Sequence, residues 1–203
     1  MIFYDFEDSP NCLKIKIILN ELAIPYERRA VDRSALRGQN YREKFPTGFA
    51  PAIEDGDLRI SESSAIALYL AEKHGKLMPA DPQRRALVFQ ALSIESAILA
   101  PTVGGMGLFG ELYKPEAERN TARIGELRER AQRVAQTLGG ILGPRPYFAD
   151  DFSIADAHLY AATAKSLEGG VFQDPPSNLV AWHRRMTERP SVAKARLDYS
   201  HYR

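Results

Sequence analysis

Ser9-Pro10-Asn11-Cys12 sets a hydroxyl, an amide and a thiol side by side, where a short apolar segment gives way to a helical pattern. Ser9 is a preferred helix N-cap and Pro10 suits the first helical position, so the stretch reads as a strand-to-helix turn. The leading N–H groups of a helix lack intrahelical partners and sit at its positive end. The turn is therefore suited to holding an anion, a thiolate included. The plainer reading is that Ser9 only caps a helix. Cys12 is the only cysteine, which excludes an intramolecular disulfide and a cysteine-based zinc site and points to a reducing cytoplasm. His74, His158, His183 and His201 are scattered without HxxxH or HExxH spacing, and no metal site is expected.

Three further stretches have the form of a motif. Gly105-Met106-Gly107-Leu108-Phe109-Gly110 matches GxGxxG, but a dinucleotide fingerprint needs a strand before it and a helix opening at it. Here it follows a long helical pattern, so the glycines are expected to loosen or end a helix. Met106, Leu108 and Phe109 then offer apolar surface, for a core or a pocket. Residues 119–133 mix five arginines with Glu126 and Glu129, as a solvated helix face does. Phe152-Ser153-Ile154-Ala155-Asp156 reads as a capping box with Asp in place of Glu, a structural start for a buried helix.

The elements that must position these residues follow from patterning. Ile2–Phe6 predicts a strand, Pro10–Leu22 a helix apolar on more than one face, and Tyr26–Val31 a second strand. Asp32–Lys44 predicts a polar helix with Gly38 inside it. Asp55-Gly56-Asp57 between two apolar runs predicts a hairpin. Ser61-Glu62-Ser63-Ser64 is expected to cap a third helix that ends near Gly75. Strand, helix, strand, helix, hairpin, helix is the order of a compact α/β layer domain over residues 1–77. A proline-bearing linker, 78–83, leads to residues 84–203, whose patterns at 84–101, 115–142, 154–167 and 179–189 are all helical. The net charge is +1, so no general attraction to nucleic acid or an anionic membrane is expected. No apolar run is read as approaching the roughly 20 residues of a membrane span, and the N-terminus does not read as a signal peptide.

Taken together, the chain resembles the glutathione S-transferase family along nearly its whole length, most closely its bacterial, serine-type, theta-, phi- or nu-like members. The residues that carry the resemblance are Ser9-Pro10-Asn11-Cys12, then Phe49-Ala50-Pro51-Ala52-Ile53 followed by Glu62-Ser63, the linker, and Phe152-Ser153-Ile154-Ala155-Asp156. The resemblance implies a thioredoxin-like N-terminal domain that holds glutathione and an all-α C-terminal domain that shapes a pocket for an electrophile. It implies Pro51 as a cis-proline, Ala50 and the preceding Phe49 at the peptide backbone of glutathione, and Glu62 and Ser63 at its γ-glutamyl end. Ser9 takes the place of the catalytic hydroxyl, with Asn11 as a possible second donor. Tyr4 is a competing hydroxyl and, with Met106 and Phe109, a candidate for the electrophile pocket. Cys12 stands where a glutaredoxin-like turn has its second cysteine, within the helix, as a buried and inert thiol would. Phe49 departs from the basic or polar residue of many relatives, leaving Asn40, Tyr41 or Lys44 for the glycyl carboxylate. The implied activity is thiolate attack on a small electrophile, a detoxification reaction, in a cytoplasmic homodimer with glutathione as co-substrate. The alternatives are glutathione-dependent disulfide reduction, ether or thioether cleavage, and an interaction module without turnover.

Overall fold

A computed structural model describes residues 1–7 and 9–195; Asp8 and His201 lie outside the described residues. The described residues form two units, the first built from residues 1–78 together with 189–195, the second from Pro79–Glu188.

In the first unit, β1 (Ile2–Asp5) lies between β2 (Glu27–Ala30) and β3 (Ala52–Asp55), and β4 (Leu58–Ser61) closes the order β2-β1-β3-β4. β2 runs parallel to β1, while β3 is antiparallel to both β1 and β4. The β3–β4 loop is only Gly56-Asp57, since Asp55 pairs with Leu58, and Gly56 sits at φ +62°, where a two-residue hairpin favours glycine. Helix α1 (Pro10–Glu21) buries Cys12, Leu13, Ile15, Ile17, Ile18 and Leu19. Its burial on several faces follows from packing against α4 (Ser63–His74) as well as the C-terminal helix.

Three expectations change here. The polar helix of residues 32–44 is two, α2 (Arg33–Arg37) and α3 (Gln39–Lys44), because Gly38 is extended at φ −65°, ψ 145°. The cap of α4 falls on Glu62, which makes no side-chain capping bond; Ser61 is used up as the last residue of β4. The all-helical segment does not keep the whole C-terminus: residues 190–195 form a short helix against α1. Asn20 Nδ2 donates to Ser191 O at 3.0 Å and Ser191 Oγ to Glu21 at 2.6 Å, while Arg189 pairs with Glu21.

The second unit runs α5 (Pro82–Ile94), a π-helical turn (Glu95–Leu99), α6 (Ala100–Val103), α7 (Leu108–Leu112), a 3-10 turn (Glu116–Glu118), α8 (Thr121–Leu142), α9 (Ile154–Glu168) and α10 (Ser177–Thr187); the C-terminal Pro190–Ala195 is α11. The helical stretch Pro82–Leu112 is long and apolar enough to cross a membrane, against the expectation of no such run. Val88, Ala91, Leu92, Leu99 and Val103 are buried along it, together with Glu95, while Phe89 and Ile98 are exposed. On α8 the helical spacing of Ile124, Leu127, Ala131, Val134, Ala135 and Leu138 predicts one apolar stripe; all but the half-buried Ile124 are buried. Gly139 on the same helix allows close packing, because a Cβ there would lie 2.5 Å from the Pro176 ring.

Gly105-Met-Gly107-Leu-Phe-Gly110 is the α6–α7 corner, with no strand ahead of it. A Cβ on Gly107 would meet Thr102 O at 2.3 Å and one on Gly110 would meet Gly105 O at 1.9 Å. Those glycines serve backbone packing. Asp156 is fully buried and accepts from Ser153 N (3.0 Å), Ser153 Oγ (3.2 Å), Phe148 N (3.1 Å) and Trp182 Nε1 (2.9 Å). The motif caps α9 and ties α10 to it through Trp182.

Candidate active site

Register alone brings the predicted residues of the first unit to one end of the sheet. β1 ends at Asp5 and leads into Ser9; Tyr4 pairs with Ala52, the residue after Pro51; and Ala52 pairs with Ser61, the residue before Glu62. The Ser9 turn, the Ala50–Pro51 bond and the Glu62-Ser63 corner therefore flank one edge. Helices α1 and α4 both open there and pack on each other, so two positive helix ends share it.

The turn before α1 is pinned from behind. Asp5 is buried, and its Oδ2 accepts from Arg28 Nε at 2.6 Å and Lys16 Nζ at 3.4 Å. Ser9 N donates to Phe6 O at 3.2 Å, and Ser9 Oγ accepts from Cys12 N at 3.4 Å. Because that bond uses Ser9 as an acceptor, its hydroxyl hydrogen is left for donation. Asn11 is exposed, and its Oδ1 accepts from Lys14 Nζ at 2.7 Å.

Cys12 is buried, and its Sγ accepts from Phe6 N at 3.3 Å. Burial pushes its thiol up to about 12, so it stays protonated at neutral pH and is no nucleophile. Of the two candidate roles of Tyr4, the contacts of its side chain bear on the competing hydroxyl. Its ring is buried against Tyr41 and Phe45. Its hydroxyl donates to Glu54 and accepts from Arg29 and Lys44, each at 3.3 Å. A hydroxyl whose proton is committed to a carboxylate has none to give a sulfur.

The Ala50–Pro51 peptide is cis. The loop before it is held by two contacts that sequence reading missed: Tyr41 OH donates to Phe49 O at 2.9 Å, and Thr47 Oγ1 to Ser61 Oγ at 3.0 Å. Phe49 itself is 67% exposed. Of the residues named for the glycyl carboxylate, Lys44 is paired with Glu54 at 3.0 Å and Tyr41 is spent on Phe49. Asn40, Tyr41 and Lys44 all line a cavity of about 480 Å³, together with Tyr4, Val31, Ala35 and Gln39. Glu62 is exposed, at φ +73°, a region that residues with a Cβ avoid and that recurs at functional sites. Ser63 behind it is buried at the first position of α4.

Met106 and Phe109 belong to the second unit. Met106 is 84% exposed. Phe109 stacks on Tyr113, with Lys165 Nζ over both rings at 4.8 and 4.4 Å. Among the described residues, no group of three or more His, Cys, Asp or Glu side chains is placed to hold a metal ion.

A fold with this edge, followed by a helical unit, is that of glutathione transferases, and comparison with known proteins agrees. Residues 3–82 match the family of the glutathione S-transferase N-terminal domain. Glutathione S-transferase GstB of Escherichia coli (strain K12) is 30% identical over 196 residues, covering 92% of this chain and 93% of its own length. A glutathione transferase from Burkholderia graminis, solved with two glutathione molecules bound per subunit, superposes with a TM-score of 0.86 at 25% identity, over 96% of this chain and 86% of that one. The glutathione transferase URE2P6 from Phanerochaete chrysosporium, in complex with oxidized glutathione, gives 0.84 at 25% identity over 96% and 93%. The chain belongs to the glutathione S-transferase family.

Proposed function

We propose that the protein is a glutathione transferase in activity as well as in family: it binds glutathione at the edge of the first unit and activates its thiol for attack on a small electrophile. The observation that carries this is the convergence of the Ser9 turn, the cis Ala50–Pro51 bond and the Glu62-Ser63 corner at one end of the sheet. Glutathione presents a carboxylate and an ammonium at its γ-glutamyl end. The N–H groups at the start of α4 with the Ser63 hydroxyl suit the former, and the Glu62 carboxylate the latter. Backbone beside Pro51 pairs with the cysteinyl residue, and Ser9 donates its hydrogen to the sulfur. The thiolate forms by loss of its proton to solvent; the C–S bond then forms as the electrophile's leaving group departs with its electron pair. Met106 and Phe109 are proposed to contact the electrophile, and the working form is a homodimer.

A second reading, glutathione-dependent disulfide reduction, is favoured by the relatives that hold two glutathiones or oxidized glutathione. With Cys12 buried, no protein thiol takes part: bound glutathione thiolate attacks one sulfur of the disulfide and expels the other as a thiol, and a second glutathione then attacks the mixed disulfide, leaving glutathione disulfide and the second thiol. Thiol consumption measured against aryl halides, epoxides, peroxides and mixed disulfides separates the two. Turnover of carbon electrophiles supports the first reading, and turnover confined to the disulfides supports the second. If glutathione at millimolar concentration leaves the melting temperature unchanged, both are wrong, since a ligand of the native state must raise its stability.

A further inference from the structure

Lys14 has no place in the account so far. Its side chain is 1% exposed, among the apolar residues of α1. Burying an ammonium costs free energy, and at this end of a helix the macrodipole repels it. What the side chain does is specific: it reaches back one helical turn, the i to i+3 spacing that brings two side chains together, to Asn11 Oδ1 at 2.7 Å.

We propose that Lys14 is the positioning residue of the thiol-binding turn, fixing Asn11 so that its Nδ2 donors point outward to the glutathione sulfur beside the Ser9 hydroxyl. The inference rests on the glutathione reading above and adds a residue to it. An ammonium has donors and no acceptor, so whichever way the amide is turned, only the oxygen of Asn11 can face Lys14. The NH₂ group is then left at the exposed end of the side chain, where Asn11 meets solvent. Without the clamp the amide is free to turn, and an oxygen facing a thiolate repels it.

The test is the thiolate absorbance of bound glutathione followed against pH, in the full chain. Lys14→Met, which keeps the length and loses the donor, should raise the midpoint by about one pH unit, the size of one charge-assisted hydrogen bond. Lys14→Arg should restore it. In an Asn11→Ala background, Lys14→Met should shift the midpoint by less than it does alone. Should Lys14→Met fail to fold, Asn11→Ala decides at an exposed position: it removes the clamped donors and should raise the midpoint by about one unit. If glutathione binds and the midpoint of either Lys14→Met or Asn11→Ala equals that of the parent protein, the clamp is wrong. If the parent protein does not bind glutathione, calorimetry shows it and the underlying reading fails instead.

Discussion

At Ser9 one oxygen serves two purposes. As acceptor it takes the Cys12 N–H at 3.4 Å and starts α1; as donor it has a hydrogen left, which under the proposed function goes to the glutathione sulfur. Ser9→Ala therefore separates two effects. Stability should fall by about 1 kcal/mol, the worth of an N-cap, read by urea unfolding. The pH at which bound thiolate appears should rise by about one unit, as loss of one donor implies. Cys12 beside it draws the eye first and is predicted to do nothing: in the native protein its thiol should not react with a disulfide reagent at neutral pH, and should react once urea unfolds the chain. Ser9 and Cys12 were both readable from residue type and helix position. Lys14 was not, because a lysine in Leu13-Lys14-Ile15-Lys16 looks like solvated charge until its burial and its partner are known.

Among the elements, α9 and the β1–β3 face make separate predictions. The Asp156 carboxylate collects four donors at the start of α9. Asp156→Ala strands the Trp182 indole and two buried N–H groups, and should cost about 3 kcal/mol or more, followed by the fluorescence of Trp182, the only tryptophan. Burial raises Asp156 from 3.8 to about 6. A folded pKa above the unfolded one gives stability that is present below pH 3.8 and is lost as pH rises through 6. Glu54 has the opposite sign. Its hydrogen bonds, from Tyr4 first and then Lys44, lower it from 4.5 to about 2. Its contribution is present above pH 4.5 and is lost as pH falls toward 2. Glu54→Gln should flatten the acid limb of stability between those values, read by urea midpoints at successive pH. The capping motif was legible because caps are local chemistry. The Glu54 cluster was not, since it joins residues from β1, β2, α3 and β3 that are neighbours only after the sheet has paired.

At the scale of the whole molecule, the succession of strands and helices in the first unit followed from short apolar runs, the Asp55-Gly56-Asp57 turn and the intervening helices, while the strand order of the sheet did not. Local signals failed where tertiary packing decides. Gly38 breaks one polar helix into two, and α11 returns to the first unit through Ser191 and Arg189, which no periodicity encodes. The candidate edge was legible by position only, from residues around Ser9, Pro51 and Glu62 that resemble a known family. The physical reason they belong together, β1 and β4 both pairing β3 so that three corners meet, needs the register. The contacts of Tyr41 and Thr47 that hold the Phe49–Pro51 loop needed it too. The central claim is that this edge binds glutathione and lowers its thiol pKa, and the most direct measurement is an ultraviolet pH titration of the glutathione complex. The account predicts thiolate at a midpoint about two units below the free cysteine value of roughly 8.5. A midpoint equal to that of free glutathione, in a complex shown by calorimetry to be saturated, would contradict it.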